Sequence, residues 1–245
     1  MALWGSRVRV PSGPLTPSFT INQSGTTESS FVSETKEDFL FSIDDWMMET
    51  IFFETEFGKI HAKTAGSPTA PLILGLHGWS QRNGWHTWEP LMQPLADAGF
   101  YVVSVDMPGW GQSVPAKPEA LANGRSTQAA LAILDALQVK QAIPMGKSWG
   151  GGIAINLALT YPQRVSKLIL TAPAFRDVER LAQLTQPVLL AWAEDDPVIP
   201  FSYAAQFAAA IPNCQLATYL TGGHSAAPKN ASDFAPKAIR FILEP

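Results

Sequence analysis

Four of the seven residues 146–152 (GKSWGGG) are glycine, and they join an apolar run at 141–145 to an Ala/Leu-rich run at 153–161. So many glycines at one junction imply a sharp, crowded turn, here from a strand into a helix. Two chemistries use such a turn. GKS can end the phosphate-binding loop G-x-x-x-x-G-K-[ST], and GKSWG fits the G-x-S-x-G elbow that presents a nucleophilic serine. The loop needs a glycine five residues before Gly146, where this chain has Gln141 inside the strand. The nucleotide-binding reading therefore fails. In the elbow reading Gly146 and Gly150 are the small neighbours of a strained Ser148, and Gly151 and Gly152 let the helix approach the sheet. The helix start aims free N–H groups at a developing oxyanion, and the Trp149 N–H is one of them.

The rest of the chain supplies the frame for such an elbow. Residues 49–55 and 59–63 read as a hairpin turned at Gly58. Strand and helix patterns then alternate: strands at 71–77, 101–106, 141–145, 167–171, 187–193 and 215–220, helices at 87–98, 126–137, 153–161, 200–210 and 232–243. Unbroken apolar strands such as 71–77 are those buried on both faces. The pattern predicts an α/β fold: one mostly parallel sheet, helices on both faces, opened by an antiparallel hairpin. Residues 173–186, between two of the strands, hold one short helix at most, so no cap domain is expected.

Residues 1–46 differ, being rich in Ser, Thr, Gly and Pro without a clear period, and the domain is expected over 47–245. Three readings stand for the segment. Arg7, Arg9 and the lack of acids before Glu28 fit an organelle transit peptide. A disordered tail is the second. The third, favoured here, is a start placed upstream of the true one at Met47 or Met48. Residues 5–11 (GSRVRVP) resemble a conceptual translation through the T-arm of a tRNA gene.

Composition narrows the partners. Net charge is −4 with no basic run longer than two residues, which argues against nucleic acid and anionic membranes. No apolar run reaches the roughly 18 residues needed to span a bilayer. The single cysteine, Cys214, allows no intrachain disulfide and no metal site, and reads as core filler. A cytoplasmic setting is the default, with organelle import as the alternative.

A nucleophilic serine needs a base, and the base an orienting acid. Of the four histidines, His61 in the hairpin reads as a surface residue, His77 as an organiser of its loop and His86 as solvent-facing. His224 follows Gly222 and Gly223 directly after the last strand, at the carboxyl edge, and is the base. Glu194, Asp195 and Asp196 leave the preceding strand together, and one of them should face His224.

Over nearly all of residues 48–245 the chain resembles the α/β-hydrolase superfamily, as a small lidless serine hydrolase. The resemblance rests on His77-Gly78-Trp79, the turn DMPGWGQS at 106–113, the elbow at 146–151, PQRV at 162–165, DPVIP at 196–200 and Gly222-Gly223-His224. It implies Ser148, Asp196 and His224 as a triad and the Trp79 N–H as the second oxyanion donor beside that of Trp149. Asp106 and Arg164 would be structural. Two residues depart from the usual pattern: Ala193 where glycine is common, and Lys147. Lys147 could attract a carboxylate-bearing substrate, though a surface salt bridge is the expected role. Trp79, Trp85, Trp110 and Trp149 suggest an aromatic-walled pocket, with Trp85, Trp110 and Lys147 as further lining, while Trp88 reads as core.

The expected function is hydrolysis of an ester or related acyl bond of a small molecule through an acyl-enzyme, with no metal or organic cofactor. Alternatives are a C–C hydrolase or perhydrolase using the same triad, or a non-catalytic interaction member of the fold. A haloalkane dehalogenase is disfavoured because the nucleophile is Ser.

Overall fold

The computed structural model describes residues 18–21, 27–30, 48–117, 120–121 and 124–244. The chain divides into two compact units, Met1–Ile43 and Asp44–Pro245. In the first, β1 (Ser18–Ile21) and β2 (Thr27–Ser30) pair antiparallel, with Ser18 opposite Ser30. Strands of four residues are too short to print an alternation on the sequence. The rest of that segment, and with it the start-site and transit-peptide expectations, lies outside the described residues.

The second unit opens on a hairpin of β3 (Glu49–Thr55) and β4 (Gly58–Ala65). Gly58 makes the turn at φ 119°, where a Cβ would meet the Val114 carbonyl oxygen at 2.1 Å. There follow β5 (Leu72–Leu76), α1 (Glu89–Asp97), β6 (Tyr101–Val105), a two-residue β7 (Val114–Pro115) and α2 (Ser126–Ala136). Next come β8 (Ala142–Lys147), α3 (Trp149–Thr160), β9 (Leu168–Thr171), β10 (Val188–Ala193), α4 (Ser202–Ala210) and β11 (Cys214–Tyr219). A short α5 (Ala226–Lys229) precedes the closing α6 (Ala231–Leu243). The sheet order is β11-β10-β9-β8-β5-β6-β4-β3, with β7 alongside β4. Strands β5, β6, β8, β9, β10 and β11 run parallel.

Why the inner strands are apolar without alternation is visible in where their side chains go. Leu72, Leu74 and Leu76 join a core shared with Ile133, Ile153, Leu157 and Phe207 on one face. Ile73 joins the opposite core, with Leu91, Leu95, Phe234 and Phe241. The same split divides Leu190 and Trp192 from Leu189 and Ala191. Period-2 alternation exists, but both phases end in hydrocarbon.

Two elements depart from expectation. Helix α3 begins at Trp149 rather than Ile153, because its glycines form the first turn rather than a loop before it. Residues 173–186 carry a 3-10 segment, Val178–Gln183, in place of an α-helix, and no cap domain follows β9 among the described residues. Cys214 heads β11, half-buried, and burial pushes its thiol up to about 11, so it is no thiolate nucleophile.

Candidate active site

Because β5, β8, β10 and β11 are parallel, the residues leaving their carboxyl ends gather at one edge. His77-Gly78-Trp79 leaves β5, Ser148 leaves β8, Asp195-Asp196 leaves β10 and His224 follows β11. The chain proceeds from β5 outward to β6 but returns on the other side of β5 as β8. Such a reversal opens a crevice at the strand ends. Ser148 and Trp79 stand on its two sides.

Ser148 has φ 53° and ψ −117°, a conformation costly to a residue with a Cβ. Three backbone hydrogen bonds hold it: the Ser148 N–H donates to the Thr171 carbonyl at 2.9 Å, and its own carbonyl accepts from the N–H groups of Gly152 and Ala174. The elbow is crowded to contact. A Cβ on Gly146 would lie 2.5 Å from the Gly150 oxygen, and one on Gly150 would lie 2.3 Å from the Leu76 oxygen.

His224 sits in a 3-10 turn whose two preceding glycines adopt φ 137° and 54°. Its Nδ1 donates to Asp196 Oδ2 at 2.8 Å. The other Asp196 oxygen, Oδ1, accepts from the N–H groups of Val198 (2.8 Å) and Ile199 (3.0 Å), which fixes the carboxylate. With the proton on Nδ1, the lone pair of the ring is on Nε2, and that atom is buried without a partner among the described residues. Asp195 does different work: exposed, it accepts from Gly223 N–H at 2.7 Å and Gly222 N–H at 3.3 Å, bracing the loop that carries His224.

Two amides are free to serve an oxyanion. The Trp149 N–H opens α3 and has no intrahelical acceptor. The Trp79 N–H donates to nothing among the described residues. Its direction is set by His77, which is buried and neutral. Met107 N–H donates to His77 Nε2 at 3.0 Å, so the ring proton is on Nδ1 and is donated to the Gly78 carbonyl at 2.7 Å. In a trans peptide the carbonyl and the next N–H point opposite ways, so holding the Gly78 oxygen turns the Trp79 N–H away from His77. Burial lowers the His77 pKa to about 4 and keeps this arrangement at neutral pH.

His61 does not lie on the surface. It is fully buried, with Nδ1 2.7 Å from Asp106 Oδ2, rather than a surface residue. The sequence hides this because its partner lies across the hairpin on the DMPGWGQS turn. Asp106 also accepts from the N–H groups of Trp85 and Gln112, which makes it the knot of that turn. His86 is exposed, and Arg164 binds the Val139 and Lys140 carbonyls and Asp135. Trp88 is buried, its indole donating to the Leu76 carbonyl.

The tryptophans separate into two groups. Trp110 and Trp149 stack at 4.9 Å, and Trp79 meets both edge-on at 5.1 Å. The Trp110 indole donates to the carbonyls of Trp79 and Ser80, tying the trio to the loop after β5. Trp79 is 62% exposed, so this aromatic wall opens to solvent. Trp85 packs instead against the opposite core, with the Lys63 ammonium 5.6 Å from its ring centre. Lys147 makes no salt bridge among the described residues, against the expected role; its Nζ reaches Asn83 Oδ1 at 3.5 Å. Beside Trp149 a cleft of about 350 Å³ runs between the first turn of α2 and α3, lined by Thr127, Ile153 and Asn156. No group of three metal-ligating side chains, and no helix long and apolar enough to cross a membrane, occurs among the described residues.

Comparison with known proteins agrees with this architecture. Residues 71–180 match the family described as alpha/beta hydrolase fold. A 2-hydroxy-6-oxononadienedioate/2-hydroxy-6-oxononatrienedioate hydrolase of Cupriavidus pinatubonensis is 24% identical, over 77% of this chain and 92% of its own. A 2-hydroxy-6-oxo-6-phenylhexa-2,4-dienoate hydrolase of Comamonas testosteroni is 35% identical, over 46% of this chain and 40% of its own. The crystal structure of a predicted CIB-like hydrolase from Thermoplasma acidophilum superposes with a TM-score of 0.74 at 23% identity, covering 80% of this chain and 98% of that one.

Proposed function

We propose that this chain, similar to the α/β-hydrolase fold over residues 71–180, is a hydrolase that cleaves an ester or related acyl bond of a small molecule through a Ser148–His224–Asp196 triad. The observation that carries the reading is the His224 ring, anchored to Asp196 through Nδ1 while its Nε2 is buried and unpartnered at the strand edge that presents Ser148. Ser148 Oγ attacks the carbonyl carbon as His224 Nε2 takes its proton. The oxyanion is held by the Trp79 and Trp149 N–H groups, and the leaving group departs with the proton from His224. Water then repeats the sequence on the acyl-enzyme, releasing the acid and restoring Ser148. Asp196 stays ionised and steadies the imidazolium.

A second reading uses the same machinery on a carbon–carbon bond, and the relatives named as dienoate hydrolases favour it. In that case the departing group is a carbanion that must be protonated as it leaves. Neither reading draws on nucleic acid or on an organic cofactor, and the single cysteine suits a cytosol-like compartment. A fluorophosphonate probe should label Ser148, located by peptide mass spectrometry, and leave Ser148→Ala unlabelled. A wild-type protein that resists the probe would favour the non-catalytic alternative.

A further inference from the structure

Lys147, the last residue of β8, adjoins the nucleophile. It is half-buried, yet no carboxylate among the described residues lies within salt-bridge distance of it. Removing an ammonium from water without an anionic partner is costly and adds nothing to stability. Burial holds its pKa below the usual lysine range; the positive charge of Lys229 acts in the same direction and Asp196 in the other.

Among the described residues, the one group that Lys147 Nζ reaches is Asn83 Oδ1, at 3.5 Å. Asn83 is set by its own turn, its N–H donating to the Ser80 carbonyl at 2.8 Å. With Oδ1 accepting from the ammonium, Nδ2 donates to nothing among the described residues. It lies 3.2 Å from where a Cβ on Gly78 would be, and that same point is 3.6 Å from Ser148 Cβ. The missing side chain of Gly78 therefore leaves a niche between Ser148 and an amide donor, with the Gly78–Trp79 peptide against it.

We propose that Lys147 and Asn83 form an anion subsite that selects substrates carrying a carboxylate on the acyl side, a few carbons from the scissile carbonyl. A planar carboxylate presents two oxygens and can take the Asn83 Nδ2–H and a Lys147 N–H together. The inference rests on the hydrolase reading above, since it places the carboxylate relative to the carbonyl that Ser148 attacks.

The test compares p-nitrophenyl hemiadipate with its uncharged adipamate isostere on the same protein. Wild type should favour the charged ester in kcat/KM by about tenfold or more, the scale of one hydrogen bond to a charged group. The preference should persist in Lys147→Arg and collapse to near one in Lys147→Met; being a ratio, it is unmoved by a general loss of active protein. Binding of adipate to Ser148→Ala, followed by tryptophan fluorescence, supplies a reading free of turnover, and should vanish in Ser148→Ala/Lys147→Met. No preference in wild type, a preference that survives Lys147→Met, or binding of inorganic phosphate but not adipate would each overturn the subsite. If neither ester is hydrolysed, the hydrolase reading fails, while adipate binding still decides whether the subsite exists.

Discussion

Replacing Asp196 by Asn changes one atom in a buried side chain, and the surrounding donors dictate what it does. Oδ1 of the carboxylate accepts two backbone N–H groups and Oδ2 accepts one N–H from His224. An amide has a single oxygen. Facing it toward Val198 and Ile199 keeps two hydrogen bonds of about 0.5–1.5 kcal/mol each, and the opposite orientation keeps one and sets the amide NH₂ against two donors. The oxygen should therefore stay with the backbone, and Nδ2 will donate to His224 Nδ1. That forces the ring proton onto Nε2, the atom proposed to accept the Ser148 proton. By analogy with the same change in other triads, kcat should fall by about 10⁴, or roughly 5.5 kcal/mol of barrier, with KM little altered. Asp195→Asn offers the contrast: its oxygens hold only Gly222 and Gly223 at an exposed site, and an amide retains the shorter of the two bonds. Its kcat should fall less than about tenfold. The assay is kcat and KM on p-nitrophenyl acetate, with melting temperatures to show that both variants fold. An Asp196→Asn enzyme within tenfold of wild type, or a worse loss in Asp195→Asn, would refute the assignment.

Two further outcomes are expected. Only the 3-10 segment Val178–Gln183 lies between β9 and β10, and Trp79 is open to solvent, so long acyl chains find no wall. At about 0.8 kcal/mol per buried methylene, kcat/KM across p-nitrophenyl esters should stop rising at short chain length and show no jump at a lipid interface; a continued rise would contradict the lidless site. Stability should depend on pH through His77. Its pKa is about 4 in the fold against 6.5 unfolded, so between those values the unfolded chain binds a proton that the native state does not. Stability is then complete above about 6.5 and falls by about 3 kcal/mol as pH drops to 4. Denaturant melts at pH 7 and 4.5 should show a flatter dependence in His77→Gln, and an unchanged slope would sink the argument.

The order of elements and the elbow were legible in the sequence, because they depend on neighbours along the chain. A strand buried on both faces must read as a run such as Leu72–Leu76, and the approach of α3 to Leu76 admits only glycine at position 150. His224 was legible for the same reason, as a histidine behind a flexible pair of glycines at the end of the last strand. What the sequence could not decide were pairings across the fold. His61 and Asp106 stand 45 residues apart, and nothing local distinguishes a buried hairpin histidine from an exposed one. Asp195 and Asp196 are chemically identical neighbours. Only the turn into Val198 and Ile199 gives one of them two backbone donors and a histidine, and gives the other the glycine loop. Likewise Trp85 and Trp110 both lie in loops at the same edge, but the sheet separates them, one on each face. That no acid among the described residues forms a salt bridge with Lys147 is a fact about three-dimensional neighbours alone, since a charge is paired or unpaired by what folds against it.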